Sequence, residues 1–61
     1  MTWSELERLI KKAGWVFSHH GGKHDEYIHP TIPKAIQIER HKSKEVKPGL
    51  LNKLLKDAGL K

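Results

Sequence analysis

Between Ala35 and Glu39 the chain reads Ala-Ile-Gln-Ile-Glu, apolar and polar in alternation. Successive side chains of a strand point to opposite sides, so this segment has one face to bury and one to leave in water. That one-sidedness constrains the fold most, because two other segments need a surface to pack on. From Met1 to Ala13, the residues Trp3, Leu6, Ile10 and Ala13 fall on one helical stripe, with Leu9 beside it. From Pro48 onward, Leu50, Leu51, Leu54, Leu55 and Ala58 repeat at helical spacing. Thr2 and Glu5 have the spacing of a capping box, and Pro48 suits the first position of a helix. Gly14 and Gly59 each stand where a helix would stop. Glu5 and Glu7 come early in the first helix and Arg8, Lys11 and Lys12 late, as its dipole favours.

The aromatic and β-branched run Trp15-Val16-Phe17-Ser18 predicts a strand over about 15–19, with Trp15 and Phe17 on one face. A second strand is expected over about 24–29. Gly21 and Gly22 form the turn between them, where glycine reaches positive φ at little cost. Pro30 and Pro33 bracket a loop before the alternating strand, and His41 to Lys47 is a polar, basic connection. The order is therefore helix, three strands, helix, and the short connections make the sheet an antiparallel meander. Two helices with one apolar sheet face to share give an α+β fold, an α-β-β-β-α two-layer sandwich with both helices on one face. The other face stays open to solvent.

A chain of 61 residues holds one domain at most, spanning residues 1–61, and buries only about 60% of its unfolded surface. Such domains lean on disulfides, metals or partners. Cysteine is absent, which removes disulfides and thiolate zinc sites and makes a partner protein the expected source of added stability. No apolar run approaches a membrane span and no signal peptide is visible, so a cytoplasmic location is expected. Twelve Lys and Arg stand against seven Asp and Glu, a formal net charge of +5. On so small a surface that excess favours a polyanion, with RNA and DNA first.

Five histidines raise the question of a metal site. Their spacings match no strong zinc pattern, and His19 and His20 point to opposite faces if both lie on a strand. No metal or cofactor is expected. General acid–base chemistry fits better, because an imidazole titrates near neutral pH. Cleaving RNA without a metal needs a base for the ribose 2′-OH, cations for the phosphorane and an acid for the 5′-oxygen. His24 beside Lys23 puts an imidazole and a cation where a flexible turn meets a strand. Arg40, Lys42, Lys44 and Lys47 gather before the N-terminus of the last helix, which itself attracts phosphate. His41 among them is read as a binding or structural residue.

Taken in order, these segments resemble the HicA toxin family of toxin–antitoxin systems over nearly the whole chain. Leu6, Leu9-Ile10 and Ala13-Gly14-Trp15 resemble the family's first helix and its exit. Gly22-Lys23-His24 falls on the family's Gly-Ser-His, whose histidine is catalytic. Tyr27 and His29-Pro30 resemble the family's aromatic residue and its His-Pro pair. Ile36 to His41 resembles an apolar strand ending in Pro-Arg-His, and Pro48 to Leu60 the last helix. The resemblance implies a double-stranded-RNA-binding-domain-like fold and a type II toxin that cleaves mRNA without a metal through a single histidine, His24. It implies a HicB-like antitoxin as partner in a hetero-oligomer. Lys23 would meet the phosphate, with Arg40, His41, Lys42, Lys44 and Lys47 along the RNA.

Three residues depart from the family's pattern: Lys23 stands where serine is usual, Asp25 where an apolar residue is common, and Glu39 where proline is common. Strand geometry offers two alternatives. If Tyr27 faces the helices, Asp25 and His29 lie on that side and His24, Glu26 and Ile28 on the open side. If Ile28 faces the helices, His24 turns inward. The resemblance favours the first. Other functions consistent with the charge are a non-catalytic RNA-binding module of the same fold, or a domain whose basic face binds an acidic protein.

Overall fold

The computed structural model describes residues 1–61. Its first helix, α1 (Trp3–Lys12), begins at the expected capping box. The Glu5 N–H donates to the Thr2 hydroxyl at 3.2 Å, and the Thr2 N–H donates to the Glu5 carboxylate at 2.9 Å. Two more free N–H groups of this end, those of Trp3 and Ser4, donate to the carbonyls of Lys44 and Lys42, both at 3.0 Å. The basic connection thus closes the start of α1 with its backbone. It also supplies a core residue. Val46 is buried, and its N–H donates to the Met1 carbonyl at 2.9 Å. The polar reading of this segment does not anticipate that burial.

Both helices end in the same way. After α1, Gly14 takes φ +100°, and the N–H groups of Gly14 and Trp15 return to the carbonyls of Lys11 and Ile10 at 3.2 and 3.0 Å. After α2 (Pro48–Asp57), Gly59 takes φ +77°, and the N–H groups of Gly59 and Leu60 return to Lys56 and Leu55 at 3.1 and 2.9 Å. These are paired Schellman closures, which need a left-handed residue after the cap. The chain therefore leaves each helix at a set angle, and Trp15 is delivered into the core. Its indole N–H donates to the Ala58 carbonyl at 3.2 Å, tying the exit of α1 to the end of α2.

The strands are β1 (Val16–His20), β2 (His24–Ile28) and β3 (Ala35–Glu39), antiparallel and in the order β1-β2-β3. Ile36 and Ile38 are buried and Tyr27, opposite Ile36, is 2% exposed. They meet Trp3, Leu6, Ile10, Trp15, Val46, Leu54 and Ala58 in one core, while Ala35 and Gln37 on the other face are exposed. Tyr27 therefore faces the helices, the first of the two alternatives. Asp25 and His29 share its side and His24, Glu26 and Ile28 turn to the open side.

Two expectations need adjustment. Phe17 lies on the helix side, its ring 6.0 Å from that of Tyr27, yet it remains 46% exposed. β1 is an edge strand beyond the cover of the helices, and every residue of it is exposed. The pairing also shifts between Phe17 and His19, a bulge that leaves Ser18 without a partner in β2. The second adjustment concerns the glycine turn. Neither Gly21 nor Gly22 uses positive φ, which is confined to Gly14 and Gly59. A side chain at Gly22 would meet nothing within 4 Å, so its smallness is not required by the fold.

Candidate active site

The turn from β1 to β2 is held at both ends. The Gly21 N–H donates to the His24 carbonyl at 2.8 Å, and the Arg40 guanidinium donates to the Gly21 carbonyl at 2.9 Å. Arg40 follows β3 directly, so the end of one hairpin arm and the exit of the sheet are clamped together. This brings Gly22, Lys23, Arg40, His41 and Lys44 around one open basin of about 510 Å³, with Glu39 on its rim. The basin has no apolar lining, and its cations are those the sequence assigns to a phosphate backbone.

His24 opens β2 and stands on the uncovered face, half-buried, opposite Glu39 of β3. It lines a second open groove, of about 320 Å³, along the free edge of β3 beside α2, together with Gln37, Glu39, Leu50 and Leu54. Leu50, which helical spacing assigns to the buried stripe of α2, is 41% exposed and turned to this groove. Glu39 borders both hollows, so the groove that holds His24 and the cationic basin adjoin at that residue.

Three histidines are engaged elsewhere. The His29 ring lies edge-on to Trp15 at 5.2 Å, donates through Nε2 to the Ala13 carbonyl at 3.0 Å and accepts from the Thr31 N–H at 3.1 Å. His20 Nδ1 donates to Asp25 at 2.7 Å, and His19 bonds Ser18 at 3.1 Å. His24 and His41 have no ring hydrogen bond within the chain, which leaves their nitrogens to an outside group. No three His, Asp or Glu side chains converge as a metal site would require.

Of the basic residues named from sequence, Lys23, Arg40, His41 and Lys44 are brought together, and Lys42 and Lys47 are not. Lys42 is half-buried, 2.7 Å from Glu7 and 3.6 Å from Asp25. Lys47 is the exposed residue at the head of α2; no side chain caps that end and no acidic residue stands in its first turn. Sequence reasoning missed the network behind the site. Glu7 accepts from the Tyr27 hydroxyl and from Lys42. Burial works to raise the Glu7 pKa, but these two bonds outweigh it and hold it below the ordinary value. Burial, then the Glu7 carboxylate, pushes the Tyr27 phenol above its usual range. Asp25, the odd acidic residue of the strand, is held low by the His20 hydrogen bond, helped by Lys42 and Arg40. The signal in the sequence was the hairpin register, which sets His20 opposite Asp25.

The family described as HicA toxin of bacterial toxin-antitoxin matches residues 3–60. No curated protein matches the sequence.

Proposed function

Because the chain belongs to the HicA toxin family, and so is the toxin of a toxin–antitoxin system whose partner is a HicB antitoxin, we propose that it is an endoribonuclease acting on mRNA without a metal through His24. The observation that carries this is an unbonded imidazole on the open sheet face, beside a basin rimmed by Lys23, Arg40, His41 and Lys44. The basin holds the phosphates, and His24 transfers a proton at the scissile one. Attack by the ribose 2′-OH leaves a 2′,3′-cyclic phosphate and a 5′-hydroxyl, a route closed to DNA. Donors already set around the phosphate stabilise the charge that builds there. Lys23, in the place of the usual serine, adds a full charge to that set. Asp25 does not repel the strand, because His20, Arg40 and Lys42 surround its carboxylate. The antitoxin covers the open face and its basic rim, and the complex is cytoplasmic.

The experiment is RNA cleavage in EDTA by the wild-type chain and by His24→Ala, with the ends of the fragments analysed. Cyclic phosphate ends from wild type, with a loss of about 100-fold or more in His24→Ala, are expected. Equal cleavage by the two proteins would remove His24 from the chemistry.

A further inference from the structure

The chain has seven carboxylate side chains, and six of them are engaged within it. Glu5 caps α1, Glu7 takes Lys42 and Tyr27, and Asp25 takes His20, Arg40 and Lys42. Glu26 lies 3.5 Å from His19, Glu45 takes the Met1 amino group, and Asp57 takes Lys34 and Lys53. Glu39 alone has no hydrogen bond or ion pair, although Arg40 is its neighbour in the chain. It is half-buried, stands directly across the ladder from His24, and leaves the sheet on the same open face. Directly opposed residues hold their Cβ atoms about 4.5–5.5 Å apart. An unpartnered carboxylate and an unpartnered imidazole therefore stand side by side, at the point where the His24 groove meets the cationic basin.

We propose that Glu39 is the second proton-transfer group, the base that takes the 2′-OH proton while His24 acts as the acid. This rests on the ribonuclease reading above. A carboxylate enters such a step ionised and an imidazole can enter it charged, so the pair divides the two roles. The 2′-OH proton passes to the Glu39 carboxylate as the 2′-oxygen bonds to phosphorus. The bond from phosphorus to the 5′-oxygen breaks, and the 5′-oxygen takes the proton of the His24 imidazolium. Glu39 is left protonated and His24 neutral, and exchange of one proton through water restores both. Lys23, on the basin side of His24, faces the non-bridging oxygens.

The test uses an RNA oligonucleotide carrying the wild-type cleavage site, and the same oligonucleotide with sulfur in place of the 5′-bridging oxygen. A thiolate leaves without a proton, so only the acid becomes dispensable. Wild type, Glu39→Gln and His24→Ala are compared at saturating protein, with RNA affinity measured alongside. Glu39→Gln removes a negative charge from the basin rim, so it is expected to bind at least as tightly as wild type and to cleave both RNAs at least about 100-fold more slowly. His24→Ala is expected to be as slow on the oxygen substrate and to recover to within about tenfold of wild type on the sulfur one. Glu39→Gln at the wild-type rate would overturn the proposal, as would sulfur rescue of Glu39→Gln rather than His24→Ala. RNA left whole by wild type would remove the ribonuclease reading itself. RNA cut by wild type and equally by Glu39→Gln would remove this proposal alone.

Discussion

Gly14 is required by its backbone and by its surroundings at once. Its φ of +100° is one that side chains rarely adopt, and a Cβ there would lie 2.9 Å from Nε2 of His29. That nitrogen is already committed to the Ala13 carbonyl, so the ring cannot swing away without losing its bond. Gly14→Ala is expected to cost about 2 kcal/mol or more, read as a lower urea midpoint with an unchanged slope. A loss under about 0.5 kcal/mol would show that the His29 ring yields freely. The role of Gly14 as a helix stop is legible in the sequence, because Gly after an amphipathic stripe has few other uses. The ring resting on it is not, since His29 comes from a loop whose path depends on the packed sheet. Gly21 and Gly22 mislead in the opposite sense: two adjacent glycines suggest positive φ, yet the turn is set by Arg40 and the His24 carbonyl instead. In sequence Glu39 stands out only as a departure from a family pattern; its bearing on His24 needs the register.

Among the elements, those whose pattern is periodic are legible and those placed by their neighbours are not. α1 and α2 announce themselves by stripe, cap and closing glycine, and β3 by alternation. β1 is a strand as expected, but its exposure follows from which strands the helices reach, which no pattern within β1 records. The connection between β3 and α2 reads as a charged tether, and it is an anchored segment. Val46 is 4% exposed within the core, and the backbone of Lys42 and Lys44 caps α1. Val46→Ala should therefore cost about 2 kcal/mol, while Lys44→Ala, which keeps the carbonyl, should stay within about 0.5 kcal/mol of wild type. Thermal or urea unfolding of the two variants checks this, and equal effects would mean that the connection is not part of the core. The same anchoring presents Arg40, His41 and Lys44 to the basin on a segment fixed at both ends.

For the molecule as a whole, the charges paired within the chain act on stability, and those of the basin are expected to act on binding of the proposed RNA. Glu7, Asp25 and Asp57 all have lowered pKa values in the folded chain. For Asp57 the cause is hydrogen bonds from Lys53 and then Lys34, added to the partners of Glu7 and Asp25 already described. A carboxyl whose folded pKa is depressed adds stability above its unfolded pKa and loses it as pH falls through the folded one. The unfolding midpoint is thus expected to hold from neutral pH down to about 5 and then to drop steadily toward pH 2. A flat acid limb would mean that these pairs do not stabilise the fold. Lys23 and Lys44 of the basin have no carboxylate partner, and Arg40, 3.4 Å from Asp25, completes its cations; these three are expected to set the response to salt. Each phosphate neutralised on a single strand contributes about 0.7 to the slope of log K against log salt, so Lys23, Arg40 and Lys44 together predict a slope near −2. Lys44→Ala should make that slope shallower by about 0.7, measured by binding in a His24→Ala background so that the RNA stays whole. Lys42→Ala removes the same formal charge but takes it from Glu7 and Asp25, not from the basin, and so should leave the slope unchanged while lowering stability. Equal changes in slope for the two variants would mean that RNA responds to net charge alone, and the basin would then have no claim to be where the strand lies.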